Sequence, residues 1–187
     1  MTKDCWDDTS NVSSAVPAEY DDAEFINAYT LPDFAVESTV LSAKLSMTVQ
    51  DMVDAGWTIE RQPDYIPANS YAEIYLRLDV RTTAVVEAVN YTRNAILPQY
   101  GIVIASFNNT GMSGSIRADG LKLLYNGNVL AQMDEAYSDV IAALNAAELE
   151  YTEDDNTITV VPYGDERQIS LLFSKSDNAL YSVYVAR

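Results

Sequence analysis

Glu73-Ile-Tyr-Leu-Arg-Leu-Asp-Val-Arg81 is the stretch on which the reading of the fold turns. Ile74, Leu76, Leu78 and Val80 alternate with Glu73, Tyr75, Arg77, Asp79 and Arg81. A period of two marks a strand with one buried and one wet face. Upstream, Met47-Thr-Val-Gln-Asp-Met-Val-Asp-Ala-Gly-Trp57 predicts a short helix that gives way to another strand. Thr48 is suited to cap it, and Asp51 falls in the first turn, where a carboxylate complements the helix dipole. Val49, Met52 and Val53 stand at i, i+3 and i+4 and make one apolar stripe. Gly56 suits the left-handed residue that ends such a helix, and Trp57-Thr-Ile-Glu60 opens the strand. Residues 36–45 are strand-like with imperfect alternation, and residues 1–30 read as an extended, polar, acidic lead-in.

Downstream, residues 84–92 and 102–107 read as further strands, and 108–115, with Gly111 and Gly114, as a loop and boundary. Asn126-Gly127 between two short apolar runs is a hairpin turn of the kind that needs positive φ. A second helix is predicted over 134–144, where Tyr137, Val140, Ile141 and Leu144 hold helical spacing, with Asn145 at the left-handed position after it. Strands follow at 148–152, 157–161, 168–174 and 180–185, with turns at 154–156, 164–165 and 176–178. A helix followed by antiparallel strands thus occurs twice. The expected fold class is α+β: the lead-in, then two tandem helix-plus-antiparallel-sheet repeats over 31–115 and 116–187, each laying one helix across a meander. A short helix and a hairpin are each marginal alone, and stacking them buries both apolar faces.

Several of these stretches resemble a known family. Ser138-Asp-Val-Ile-Ala-Ala-Leu144, Ile169-Ser-Leu-Leu-Phe173 and Leu180-Tyr-Ser-Val-Tyr-Val185 are similar to the repeat of β-lactamase-inhibitor-protein-like domains and of small outer-membrane assembly lipoproteins. Met47 to Ile59 is similar to the front half of exported lipoproteins of gut bacteria. The resemblance implies a BLIP-like protein binder that uses the sheet face its helices leave open. Asn145 departs from the glycine usual in that family, and the start Met1-Thr-Lys-Asp-Cys5-Trp-Asp-Asp lacks its export signal. As written the chain reads as cytoplasmic; removal of an export signal would make it extracellular or cell-surface.

The 187 residues carry a formal charge of −17, gathered in two places. Residues 1–24 hold Asp4, Asp7, Asp8, Glu19, Asp21, Asp22 and Glu24 against Lys3 alone. Residues 123–166 hold Asp134, Glu135, Asp139, Glu148, Glu150, Glu153, Asp154, Asp155, Asp165 and Glu166 with no Lys or Arg. Such a balance argues against direct nucleic-acid binding, which needs cationic side chains on phosphates, and leaves two readings: solubility through mutual repulsion, or engagement of a protein partner with a basic surface. A hydrophobic share of 48% suffices for a core. No apolar run reaches the ~18 residues of a membrane span.

With no histidine and one cysteine, Cys5, the sequence offers neither the usual general base and triads nor an ordinary zinc site. It has no glycine-rich phosphate loop and no nucleophile elbow. Glu153, Asp154, Asp155 and Asn156 do not follow a calcium-loop pattern. No cofactor, metal or catalytic residue is expected. Two surfaces remain. One is the acidic stretch Glu148, Glu150, Glu153, Asp154 and Asp155, either a wet sheet edge that resists strand pairing or an imitation of a phosphate row. The other is an open sheet face carrying Tyr75, Arg77 and Tyr184, of residue types that anchor interfaces. The expected function is a non-enzymatic, inhibitor-like protein-binding module. The alternative is an acidic, nucleic-acid-mimicking inhibitor of a host nucleic-acid enzyme, of the phage anti-restriction or anti-CRISPR type.

Overall fold

The computed structural model describes residues 12–45, 47–108, 115–162 and 167–185. The expectations for Cys5, for the acids of 1–11, for Gly111 and Gly114 and for the turn at 164–165 fall outside them.

Where local chemistry is complete, the sequence is obeyed. Helix α2 (Val49–Asp54) begins at a reciprocal cap: Asp51 N donates to Thr48 Oγ1 at 3.2 Å, and Thr48 N donates to Asp51 Oδ2 at 2.6 Å. Val49 and Met52 are buried, and Gly56 ends the helix at φ +102°. Trp57, buried behind it, donates from Nε1 to the Val40 carbonyl at 3.3 Å and leads into β3 (Thr58–Arg61). The quoted stretch lies in β4 (Ser70–Arg77), which pairs antiparallel with β5 (Thr83–Asn90) along its whole length. Ile74 and Leu76 are buried. The strand stops at Arg77 because Asp79 Oδ1 accepts from the N–H groups of Arg81 and Thr82 and folds the chain into a turn, which leaves Val80 exposed.

The two-repeat architecture is not what the chain builds. Among the described residues three helices serve three sheets. β3, β4, β5 and β6 (Ile102–Ile104) form an antiparallel sheet in that order. β1 (Phe34–Glu37) and β2 (Ser42–Lys44) pair with each other, and β1 also pairs with β9 (Lys122–Tyr125), which pairs with β10 (Asn128–Gln132). The third sheet runs β11 (Tyr151–Asp154), β12 (Thr157–Val160), β13 (Ile169–Phe173), β14 (Leu180–Val185), β7 (Ser106–Asn108) and β8 (Ser115–Arg117). The pairings β1–β9 and β14–β7 cross residue 115, so each helix does not own a sheet. The physical reason is that alternation says which face of a strand is buried and nothing about its neighbour. The helices are also too short to cover such sheets; α2 has six residues and α3 (Tyr137–Ala146) has ten. One core cluster therefore joins all three sheets, with Phe34 and Leu123 from one, Ile74 and Val86 from the next, and Phe107, Leu171 and Val183 from the last.

Four further local corrections have local causes. The single strand read over 36–45 is a hairpin, because the Ser38 hydroxyl accepts from the N–H groups of Val40 and Leu41. The strand read over 102–107 breaks at Ala105, where the chain leaves one sheet for the other. Asn145 lies inside α3; the left-handed residue that ends the helix is Glu148, at φ 55°. Residues 18–29 are not an extended tail. They form a 3-10 turn (Ala18–Asp21) and α1 (Ala23–Tyr29), whose first turn is capped by Asp22 Oδ1, accepting from Glu24 N at 2.9 Å and Phe25 N at 3.1 Å.

Candidate functional site

The open face of the β3–β6 sheet is built by the alternation itself. With Ile74 and Leu76 turned inward, Tyr71, Glu73, Tyr75 and Arg77 stand on the other side of β4. Register then sets Glu73 directly opposite Glu87 and Tyr75 opposite Val85. Two carboxylate residues therefore share the wet face of this sheet at one register position. Tyr75 is half-buried: its hydroxyl donates to Glu73 Oε2 at 3.3 Å, and the Arg61 guanidinium lies 4.3 Å from its ring centre. Arg77 pairs with Glu60 at 2.6 Å, both side chains remaining wet, so the pair adds little stability.

Tyr184 belongs to the six-stranded sheet, yet it reaches the same surface. Past Ala105 the chain enters β7, where Ser106 pairs with Tyr184. This turn at the sheet junction leaves a cleft lined by Glu73, Val85, Glu87, Ser106 and Tyr184. Tyr71 and Tyr184 are 47% and 41% exposed, high for rings of that size. Of the three interface side chains expected from sequence, Tyr184 thus meets Glu73 in one cleft, and Tyr75 joins them through its bond to Glu73. Arg77 lies farther along β4 and is taken by Glu60. Sequence reasoning missed Glu73, Glu87 and Tyr71. Glu73 and Tyr71 share the odd-numbered register of Tyr75, a signal that was available; the Glu73–Glu87 pairing was not readable without the strand register.

The acidic stretch runs from the end of α3 to the edge of the six-stranded sheet. Glu148 and Glu150 do not sit on a strand: Glu148 ends α3, and Glu150 lies in the connector, its carbonyl accepting from Val161 N at 3.0 Å. Glu153 and Asp154 lie on β11, the edge of the six-stranded sheet, with Asp155 in the turn that follows. Glu153 accepts from the Tyr137 hydroxyl at 2.5 Å. Loss of water around the phenol, with the Glu153 carboxylate beside it, pushes the Tyr137 pKa up from 10.0 to about 12. Asp155 accepts from Lys175 Nζ at 2.8 Å, which raises the lysine pKa, and both groups are strongly exposed. Asp134 and Glu135 do not cap α3, whose N-cap residue is Ala136 and which has no side-chain cap; Glu135 instead accepts from Gln132 N at 2.8 Å.

Among the described residues no group of three or more Asp, Glu, Cys or His side chains converges to hold a metal ion. Among them, too, no helix is long and apolar enough to cross a membrane. Comparison with protein-family models, with curated proteins and with solved structures gives no match.

Proposed function

We infer that this protein acts by binding another protein, without catalysis, through the uncovered face of the β3–β6 sheet. The observation that carries this reading is the convergence of Tyr71, Tyr75 and Tyr184 with the opposed carboxylates Glu73 and Glu87 on one wet face. Tyrosines supply rigid contact area with a polar tip. Carboxylates beside these rings favour a cationic partner group. The partner surface is therefore basic, in keeping with a chain of net charge −17.

The nucleic-acid-mimic reading draws on β11, an edge strand whose Glu153 and Asp154 are exposed. It is the weaker of the two, because Glu73 and Glu87 share a cleft with the exposed ring of Tyr184. The two readings separate experimentally. A partner captured from a host extract is purified and titrated against three forms of the full chain. Tyr71→Ala/Tyr184→Ala is expected to weaken binding at least tenfold, since buried aromatic anchors commonly cost more than ~1.4 kcal/mol on truncation. Glu150→Lys/Asp154→Lys is expected to change affinity less than threefold. The opposite pattern, with a steep salt dependence, would replace the sheet face by the acidic edge.

A further inference from the structure

β2 is the edge strand that the fold leaves open beside a groove. The other edges among the described residues are protected. β3 and β10 are bulged, at Ile59/Arg61 and Val129/Ala131. β11 carries the exposed charges of Glu153 and Asp154. β8 is buried at Ser115 and Ile116. β6 is covered by the link ahead of α2, where Val103 N donates to the Met47 carbonyl at 2.9 Å and Val49 N to the Gly101 carbonyl at 3.2 Å. Bulges, charges and cover are the usual defences of an edge. β2 keeps a regular register with β1 and has only its shortness and Lys44 to defend it.

Its outward backbone groups follow from the ladder. Ser38 N donates to the Leu41 carbonyl at 2.8 Å and Leu45 N to the Phe34 carbonyl at 2.9 Å. Antiparallel pairs alternate between bonded and non-bonded, so Val36 and Ala43, midway between those two, form a bonded pair. The N–H and C=O groups of Ser42 and Lys44 therefore point away from β1. The Lys44 carbonyl accepts from Met47 N at 3.0 Å. The Ser42 N–H, the Ser42 carbonyl and the Lys44 N–H are left to meet an added strand.

The edge opens on a groove of about 540 Å³ between β2 and α2. Asp51, Asp54 and Ala55 line its far wall and, at i, i+3 and i+4, share one face of the helix end. Ala43 and Met47 add apolar surface. Ala43 packs on the core, whereas Ser42 and Lys44 are exposed on the other side of the strand. Apolar atoms beside two exposed carboxylates suit a lysine or arginine, whose stem packs while its head stays wet and paired.

We propose that β2 is a docking edge for an extended, basic segment of a protein partner, which adds to the sheet as a further strand. The residue opposite Ala43 points the way Ala43 points, into the groove, and is a lysine or arginine that reaches Asp54 and Asp51. Its neighbours lie beside Ser42 and Lys44 on the wet side. Main-chain bonds supply affinity in this mode, and the side-chain slot supplies the sequence preference. The docking edge goes beyond the sheet-face reading and uses none of its residues.

The test is an NMR titration of the full chain with the blocked peptide Thr-Thr-Lys-Thr-Thr, threonine favouring an extended backbone. The same peptide with Glu at its centre is the comparison. Saturable shifts of the Ser42, Lys44 and Ala55 amides are expected with the lysine peptide, and binding about tenfold weaker with the glutamate peptide. Ser42→Pro removes an N–H that β1 does not use, so the melting temperature is kept, and binding is expected to fall about fivefold. Ser42→Ala, which keeps that N–H, is expected to bind as wild type. Asp54→Lys is expected to remove the preference for lysine over glutamate, and it decides alone if Ser42→Pro lowers the melting temperature. The proposal is overturned if the lysine peptide gives no saturable shift, if the glutamate peptide matches it, or if Asp54→Lys keeps the preference. Dimerisation of the free chain that Ser42→Pro abolishes would overturn it as well, because the edge would then belong to a second copy.

Discussion

Asn90 carries a disproportionate share of the fold for one side chain. It is buried at the end of β5, where Nδ2 donates to the carbonyls of Ile66, Pro67 and Asn94 at 3.1, 3.0 and 2.7 Å. Its Oδ1 accepts from Thr92 N at 2.8 Å and from Thr92 Oγ1 at 2.7 Å. Asn90→Ala strands these groups at once and is expected to cost about 2–4 kcal/mol, seen as a lower urea midpoint. A neutral result would mean water replaces the amide. Glu148 makes the opposite case: a non-glycine residue at φ 55°, with its carboxylate at the negative end of the α3 dipole. Glu148→Gly is expected to stabilise the protein by about 0.5–1 kcal/mol, measured the same way. At Tyr137 the sign follows from a folded pKa raised above 10.0. The stabilisation tied to its neutral phenol is complete below the unfolded value and is lost as pH climbs through about 12. Glu153→Gln is expected to bring its ultraviolet titration back toward 10.0, and an unchanged midpoint would remove Glu153 as a cause.

At the scale of elements, legibility tracks how local the determining contacts are. Helix α2 was readable because Thr48, Asp51 and Gly56 close both its ends within the segment itself. The Asn126-Gly127 turn was readable for the same reason, both residues having positive φ, at 48° and 78°. The last four strands were found in order because successive hairpins place sequence neighbours side by side. The end of α3 was misplaced because Asn145 and Glu148 compete for one left-handed position, and the difference between them lies in surroundings that sequence alone does not show. The break at Ala105 was invisible, since Ile102-Val-Ile-Ala-Ser-Phe107 carries no glycine, proline or other turn signal. Gly101 lies just ahead of that break and shows how tightly the region is fitted. A Cβ there would stand 2.8 Å from Ala88 Cβ and 2.8 Å from Ile66 Cδ1. Ile66 can shift its tip, whereas Ala88 is fixed on β5. Gly101→Ala is expected to cost about 1–3 kcal/mol by overpacking, read from thermal and urea unfolding. A loss below ~0.5 kcal/mol would mean that β5 yields.

At the scale of the whole molecule, the sequence correctly suggested strands with a wet face and mistook their assembly. β1 with β9 and β14 with β7 are joined across long stretches of intervening chain, and nothing in either strand names the other. Long-range pairing is chosen by the packing of the complete core, which no window of residues contains. The candidate site shares this division. Tyr75 and Tyr184 were visible as aromatics on wet strand faces, but their common surface exists only because the β6–β7 passage knits two sheets together, and the carboxylate pair beside them only through the β4–β5 register. Hydrogen–deuterium exchange of the full chain, free and bound to its purified protein partner, tests this most directly. Slowed exchange confined to β4, β5 and the Tyr184 end of β14 is the predicted result. Slowed exchange at 148–155, with β4 and β5 unchanged, would contradict it.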